Sequence, residues 1–116
     1  MDTLEDLTRE LRRFAEERDW EQFHAPKNLV MALAVEAAEL MEHFQWLTAE
    51  ESDRLPAGRA AAVREELADV FIYLLRLADR LDVDLGEAAR EKIAKNAEKY
   101  PVAKSRGHKR KYTELA

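Results

Sequence analysis

Cysteine is absent from the 116 residues, and glycine and proline occur only three times each. The lack of cysteine excludes disulfides, thiolate metal sites and cysteine nucleophiles, and it is compatible with a reducing compartment. The scarcity of turn residues argues against an all-β sandwich, which needs many turns. The sequence therefore favours an all-α fold in which long helices with short connections form a single domain over residues 1–116.

Basic residues are in deficit, because 19 Lys and Arg face 24 Asp and Glu and give a net charge of −5. This balance disfavours binding to duplex nucleic acid through bulk electrostatics. The apolar stretch from Leu29 to Met41 is too short to span a bilayer and carries two carboxylates. The acidic start of the chain lacks the apolar core of a signal peptide. We expect a cytoplasmic protein with neither a membrane nor duplex nucleic acid as partner.

Apolar spacing and capping signals predict four helices, the first opened by a capping box at Thr3 and Asp6 and the fourth by a similar N-cap box at Asp84 and Glu87. The predicted helices cover about residues 4–18, 26–46, 59–81 and 85–100. Between them lie an aromatic-rich connector at 19–24 and a loop at 48–58 with no more than a short helical turn. Residues 102–116 are predicted to form an extended basic tail.

The second predicted helix is apolar on almost all sides. Between Leu29 and Met41 only Glu36 and Glu39 interrupt the apolar residues. A helix of this kind is predicted to be buried, and in so small a chain a neighbouring subunit is expected to cover part of it. We therefore expect a homo-oligomer that completes the bundle.

Carboxylates occupy the apolar stripes of two helices. On a helical wheel, Glu36 lies inside the stripe of the second helix and Glu39 lies at its edge. In the third helix Glu66 lies among apolar residues and Asp69 lies at the edge. The stripe residues are Leu29, Leu33 and Leu40 in the second helix, and Val63, Val70, Leu74 and Leu77 in the third.

An antiparallel packing of these helices would bring the four acids together. Neither stripe carries a Lys or Arg at its centre, and unpaired buried carboxylates are unfavourable. An all-oxygen ligand set suits Mg²⁺ or Mn²⁺ better than zinc. A single Glu-x-x-Glu in an acidic helical protein is ordinarily a solvated face, and raised pKa values or a polar bundle end are further alternatives. Two such pairs, each inside an apolar stripe, favour the metal site.

The motifs resemble those of the MazG-like superfamily of all-α nucleoside triphosphate pyrophosphohydrolases, and within it the dCTP pyrophosphatase branch. The family signature, Glu-x-x-Glu followed by Glu-x-x-Asp, matches residues 36–39 and 66–69. Further matches are Glu-Arg-Asp-Trp-Glu-Gln-Phe-His at 17–24, Phe-Gln-Trp at 44–46, Glu-Glu-Leu-Ala-Asp-Val-Phe-Ile-Tyr at 65–73, Lys-Tyr-Pro at 99–101 and Lys-Tyr-Thr-Glu-Leu at 111–115.

The resemblance implies a four-helix MazG-like bundle with antiparallel helices, assembled as a tetramer. It implies hydrolysis of a nucleoside triphosphate between the α- and β-phosphates, giving a monophosphate and pyrophosphate, with dCTP or a modified dCTP as the expected substrate. Such an enzyme clears surplus or non-canonical nucleotides from the pool. The implied ligands of Mg²⁺, with Mn²⁺ as the second option, are Glu36, Glu39, Glu66 and Asp69. One of these carboxylates could instead serve mainly as the general base, and the sequence does not select which.

The resemblance also implies a set of nucleotide contacts. These are Trp20, Glu21, Gln22, Phe23, His24, Trp46 and Tyr73. Ordinary packing at helix ends is the alternative for the two tryptophans. Lys92, Asn96 and Lys99 share one side of the fourth helix and could reach phosphates, with a solvated polar face as the alternative.

Two features leave the function open. The branch carries a substrate-contacting His in its first helix where this chain has Leu11, which affects the expected base preference more than the chemistry. The basic tail either closes over the triphosphate, lies on a partner subunit or is a solubilising end.

A non-catalytic helical oligomer that serves as an interaction module is the alternative function from another class. A pyrophosphohydrolase for a different dNTP is the alternative within the same chemistry.

Overall fold

The computed structural model describes residues 3–109 and residue 113, and all regular elements within them are helical. This confirms the predicted all-α class. The elements are α1 (Leu4–Glu17), a 3₁₀ turn (Glu21–Phe23), α2 (Pro26–Glu42), α3 (Ala49–Ser52), α4 (Ala57–Arg80), α5 (Leu85–Lys99) and α6 (Val102–Ser105). The four long helices are the four that the sequence predicts, and α3 is the short turn expected in the loop. Of the tail motif at 111–115, all but Thr113 lies outside the described residues.

Helix α1 begins with the predicted capping box and ends in a left-handed residue. The Thr3 hydroxyl accepts from the Asp6 amide at 3.1 Å, and the Asp6 carboxylate accepts from the Thr3 amide at 3.3 Å. At the other end Asp19 has φ 54°, the Trp20 amide donates to the Ala15 carbonyl, and the Asp19 amide donates to the carbonyl one residue later. These two bonds form a Schellman motif, in which the left-handed residue reverses the chain direction.

Helices α2 and α4 pack against each other as an antiparallel pair. Near the start of α4, Nη1 of Arg59 donates to the carbonyl of His43, just beyond the end of α2. Near the end of α4, Nε of Arg76 donates to Nδ1 of His24, just before α2. Side chains from the middle of α2 therefore face the middle of α4, which is the arrangement that convergence of the acids requires. Helix α1 also packs against α4.

Helix α2 ends at Glu42, so the predicted end near Trp46 is wrong. Beyond Glu42 the hydrogen bonds tighten, since the His43 amide donates to Leu40 and the Phe44 amide donates to Met41. Such i to i−3 bonds close the last turn of a helix. A second capping box, between Thr48 and Glu51, then opens α3 and redirects the chain.

The prediction that α2 is buried all round is wrong for the isolated chain. Only Leu29 is fully buried, whereas Val30, Met31, Val35 and Met41 are each about half exposed. The described core consists of small and aliphatic side chains from α1, α2 and α4: Ala15, Leu29, Val63, Leu75 and Ala78. The protomer thus buries only part of the apolar surface of α2.

The buried face of α4 also differs from prediction. Val63 is buried as expected, but Leu74 is exposed, and the last turns bury Leu75, Arg76 and Ala78. Arg76 is 2% exposed, so a cation does lie on the buried side of this helix. The helical wheel missed it because a long side chain can turn its charged end away from the angle at which its Cα lies.

The described residues divide into two compact units between Val83 and Asp84. In the second unit, the Asp84 carboxylate accepts from the Glu87 amide at 3.0 Å and caps α5 as predicted. The tail does not begin as an extended segment, because Pro101 ends α5 and its carbonyl accepts from Lys104 and Ser105 to start α6. The fixed φ of proline suits both roles. The single-domain organisation stays a prediction.

Candidate active site

Three of the four predicted acids converge between α2 and α4. Glu36 and Glu39 lie one turn apart on α2, and Glu66 faces them from α4. One carboxylate oxygen from each lies within 4.8 Å of the other two. All three side chains are half-buried. The cluster therefore forms where the antiparallel packing of the two helices predicts it.

Two oxygens in this cluster lack a partner. Oε2 of Glu36 and Oε2 of Glu66 are buried and accept no hydrogen bond from the described residues. Burial, followed by the neighbouring acids Glu39, Asp69 and Glu66, raises the pKa of Glu36 to about 7. Buried acceptors are normally satisfied, so two orphaned oxygens in one acidic cluster call for a cation or a proton.

The donor set fits a hard divalent cation. Its members are carboxylates from facing helices, and Mg²⁺ and Mn²⁺ prefer oxygen ligands. The orphaned oxygens of Glu36 and Glu66 are positions that a cation would satisfy. No histidine shares the cluster among the described residues, which distinguishes it from a typical zinc site.

Asp69 stands apart from the other three acids. It lies one turn beyond Glu66, its side chain is exposed, and it is not among the residues whose oxygens converge within 4.8 Å. Its charge nevertheless contributes to the raised pKa of Glu36. The structure therefore brings three of the four acids within 4.8 Å of one another and leaves Asp69 exposed beside them.

The aromatic connector is shaped by hydrogen bonds within the chain. The reversal at Asp19 lays Trp20 edge-on against Phe14, with the ring centroids 5.7 Å apart. Nε2 of Gln22 donates to the carbonyl and carboxylate oxygens of Asp19. Trp20 also meets the ring of His24 edge-on at 6.3 Å. Trp20 and His24 are thus brought together, whereas the amide of Gln22 is engaged within the connector.

The remaining predicted aromatics differ in exposure. Trp46 is 87% exposed in the turn after α2, and Phe23 is 60% exposed. Tyr73 is half-buried on α4. The packing alternative does not explain Trp46, because hardly any of its surface is buried in the protomer. For Trp20, the contact with Phe14 shows that the indole ring packs within the protomer.

Arg76 is a residue of this region that the sequence interpretation missed. Its Nη2 donates to Oε1 of Glu21 at 3.2 Å, its Nη1 to Oδ2 of Asp79 at 3.1 Å, and its Nε to Nδ1 of His24 at 3.3 Å. The signal was present, since Arg76 is the only charged residue in the run from Val70 to Ala78. A lone arginine in such a run requires buried partners.

One face of α4 links the acids to the connector. Asp69, Tyr73 and Arg76 follow at steps of four and three residues, so they lie along the same side of the helix. The rise of an α-helix places Arg76 about 10 Å from Asp69. Because Arg76 holds Glu21 and His24, the connector lies about two turns beyond Asp69 and nearly three turns beyond Glu66 along α4.

The predicted phosphate contacts lie in the second unit. Lys92, Asn96 and Lys99 are exposed on α5 at steps of four and three residues, so they do share one side as expected. Contact between this face and the phosphates stays a prediction. Among the described residues, no helix combines the length and the apolar character that crossing a bilayer requires.

Comparisons with known proteins agree with the motif assignments. The model of the MazG-like family matches residues 31–115. The dCTP pyrophosphatase 1 proteins of Mus musculus and Homo sapiens are each 50% identical to this chain, over 97% of it and 68% of their own length. A solved pyrophosphatase structure from Archaeoglobus fulgidus superposes with a TM-score of 0.81 at 41% identity, covering 87% of this chain and 94% of the other. The chain belongs to the MazG-like family.

Proposed function

We propose that this protein hydrolyses dCTP or a modified dCTP to the monophosphate and pyrophosphate, and so removes surplus or non-canonical nucleotides from the pool. The observation that carries the proposal is the cluster of Glu36, Glu39 and Glu66 with its two orphaned oxygens. Family membership implies a divalent metal ion, and relatives named dCTP pyrophosphatase 1 share half of the residues. We assign the metal as Mg²⁺, with Mn²⁺ as the second option.

The three converging acids would hold the cation, and Asp69 would complete the set from the edge. A bound divalent cation neutralises phosphate charge and lowers the pKa of water in its coordination sphere. Glu36 would lose its proton on cation binding, because the positive charge would offset the burial and the repulsion from neighbouring carboxylates that raise its pKa. One of the four carboxylates would serve as the general base in place of binding the cation fully. The candidates are Asp69, which is the exposed member, and the three converging acids.

The connector and two further aromatics would bind the nucleoside. Flat rings stack on a base with about 1–3 kcal/mol each, which suits the exposed rings of Trp20 and Trp46. Tyr73 lies on α4 between the acids and Arg76, on the path from phosphates to base. Phe23 and His24 lie on the same connector as Trp20. Glu21 and Gln22 would act chiefly by shaping the connector, through their bonds to Arg76 and Asp19.

We propose a homo-oligomer, a tetramer by resemblance to the family. The support from the structure is the apolar surface that α2 leaves exposed: Val30, Met31, Val35 and Met41. Exposed apolar side chains clustered on one helix are typical of an interface between subunits. Sedimentation velocity of the full chain measures the assembly directly. The cytoplasmic location and a closing role for the basic tail stay predictions.

A panel of nucleoside triphosphates tests the activity. Pyrophosphate release with Mg²⁺ is measured for dCTP, 5-methyl-dCTP, halogenated dCTP, dUTP and the purine nucleotides. We expect cleavage of the cytosine nucleotides, and we expect Glu66→Gln to lower kcat by at least about a hundredfold, in line with removal of one charge-stabilising group. Glu65→Gln is the matched control, because Glu65 is the exposed neighbour on the same helix.

The two alternatives give different results in the same panel. Preferred cleavage of a nucleotide with another base would support the alternative substrate. Leu11, which stands where the branch carries a histidine, is the sequence feature that leaves the base preference open. A non-catalytic interaction module would release no pyrophosphate from any nucleotide, and Glu36→Gln would leave its affinity for Mg²⁺ unchanged.

A further inference from the structure

Arg76 is the most buried charged side chain among the described residues, and it ties α4 to the connector. Its side chain is 3% exposed, and its three donor nitrogens bond to Glu21, His24 and Asp79. Asp79 is in turn held by Arg12 of α1, whose Nε and Nη2 donate at 3.1 and 2.6 Å. A guanidinium with all three nitrogens engaged is rigid, so the connector has a fixed position relative to α4.

The bond from Arg76 determines which nitrogen of His24 carries the proton. Nε of arginine always bears hydrogen and has no accepting lone pair. At 3.3 Å from it, Nδ1 of His24 must therefore accept. A neutral imidazole has one donor and one acceptor nitrogen, so the proton lies on Nε2. Arg76 thus selects one of the two tautomers.

The charges around His24 disfavour its protonated form. Arg76 and Arg80 face it with positive charge, and Glu21 faces it with negative charge. Burial, followed by the charge of Arg76, lowers the pKa of the imidazole. A proton on Nδ1 would also remove the acceptor that Nε of Arg76 uses. His24 is consequently a neutral donor at neutral pH.

We propose that Arg76 is a positioning residue of the nucleotide site, which holds His24 as the Nε2–H tautomer so that this group donates to an uncharged acceptor on the base or sugar of the nucleotide. The inference rests on the proposed function for the location of the nucleotide. An uncharged donor suits a carbonyl oxygen or ring nitrogen, whereas a protonated histidine would favour phosphate oxygens. Arg76 acts through His24 and Glu21, and it needs no contact with the nucleotide.

The tautomer is tested by NMR on the full chain labelled with ¹⁵N in histidine. Long-range ¹H–¹⁵N spectra at pH 8 distinguish protonated from unprotonated ring nitrogens, and His24→Gln assigns the His24 signals. We expect Nε2 protonated and Nδ1 unprotonated. Arg76→Lys keeps the charge but removes the Nε donor, so we expect mixed tautomers. Arg64→Lys, an exposed arginine of the same helix, is the control. An Nδ1–H or doubly protonated ring in the wild type would overturn the inference.

Binding of dCMP tests the consequence without requiring turnover. We expect Arg76→Lys to raise the Kd for dCMP and the KM for dCTP about tenfold, the effect of one lost hydrogen bond, with kcat within about threefold. Should Arg76→Lys fail to fold, His24→Phe and His24→Gln replace it. The amide of Gln supplies a donor, so we expect the Phe variant to bind dCMP more weakly than the Gln variant.

The outcomes separate this inference from the proposed function. Absence of pyrophosphate release, with dCMP binding still weakened by Arg76→Lys, would overturn the activity and support the positioning role. Pyrophosphate release by the wild type, with the Kd for dCMP and the KM for dCTP unchanged in Arg76→Lys, would support the activity and overturn the positioning role. Undetectable dCMP binding by the wild type, or equal affinities of the Phe and Gln variants, would overturn the inference.

Discussion

Arg12 and Asp79 form a bidentate ion pair that joins α1 to α4. Nε of Arg12 donates to Oδ2 of Asp79 at 3.1 Å, and Nη2 donates to Oδ1 at 2.6 Å. The hydrogen bond to Arg12 holds the pKa of Asp79 below its ordinary value. Oδ2 also accepts from the buried Arg76. Asp79 therefore links a surface cation to a buried one.

Removing the Asp79 charge should destabilise the fold strongly. Asp79→Asn takes from Arg76 one of two carboxylates, and an undercompensated buried charge costs about 3 kcal/mol. Arg12→Lys keeps the positive charge and loses only the bidentate hydrogen bonding, so we expect it to lower the free energy of unfolding by about 1 kcal/mol or less. Urea unfolding at pH 7 measures both. Arg9→Lys, in an exposed pair with Glu5 and Asp6, is the control and should shift the free energy by less than about 0.5 kcal/mol. Equal effects of the Asp79 and Arg9 variants would contradict this prediction.

A glycine at the end of α4 should stabilise the protein. Asp82 has φ 55°, and the Val83 amide donates to the Ala78 carbonyl in a second Schellman motif. Left-handed backbone is strained for residues with a Cβ, so Asp82→Gly should raise the free energy of unfolding by up to about 1 kcal/mol. Asp82→Val should lower it by about 1–2 kcal/mol, since branched side chains are least tolerated there.

The control for Asp82 is an aspartate with ordinary backbone. Asp53 follows α3 with φ −79°, in the right-handed region. Asp53→Gly relieves no strain in the folded state and makes the unfolded chain more flexible. It should therefore lower the free energy of unfolding by about 0.5–1 kcal/mol. The same sign for both glycine variants in urea unfolding would show that strain does not govern these positions.

The elements that were predictable depended on local periodicity. The i, i+3 spacing placed Glu36 and Glu39 on one face of α2, and Glu66 followed from an antiparallel partner, because helix geometry fixes those angles. The Thr3 and Asp84 caps were likewise visible, since a cap involves residues only three apart.

The features that were missed depend on distant parts of the chain. The burial of Arg76 requires Glu21 and His24 to be folded beside it, and a helical wheel contains no such information. Exposure of α2 depends on what packs on it beyond the chain itself. The left-handed Asp19 and Asp82 occupy positions where glycine is the usual signal, so the sequence did not mark them.

The pH dependence of the metal-free protein should report on Glu36. Its folded pKa of about 7 exceeds the ordinary 4.5, so the folded state retains a proton that the unfolded state releases. The resulting stabilisation is complete below pH 4.5 and is lost as the pH rises through 7. Glu36→Gln, which cannot ionise, should therefore exceed the wild type in stability at pH 8 with a chelator present, and the difference should shrink towards pH 5.

Metal addition should reverse that order. Binding displaces the Glu36 proton, so the affinity of the wild type for Mg²⁺ should rise with pH through 7. Glu36→Gln should lose most of the thermal stabilisation by Mg²⁺, whereas Glu42→Gln, an exposed acid on the same helix, should retain it. Calorimetric titration at pH 6, 7 and 8 checks the affinity. An affinity independent of pH would contradict the displacement of a proton from Glu36.

Trp46 and Trp20 should separate binding from packing. Trp46 is 87% exposed, so Trp46→Ala should change the free energy of unfolding by less than about 0.5 kcal/mol. Stacking of a base on an aromatic ring is worth about 1–3 kcal/mol. Loss of the Trp46 ring should therefore still raise the KM for dCTP by about fivefold or more. Trp20→Ala also removes the edge contact with Phe14, so it should lower stability by at least about 1 kcal/mol in addition to raising KM. Steady-state kinetics and urea unfolding of the two variants check this split. A large stability loss with Trp46→Ala, together with a concentration-dependent unfolding midpoint, would instead place Trp46 in a subunit interface.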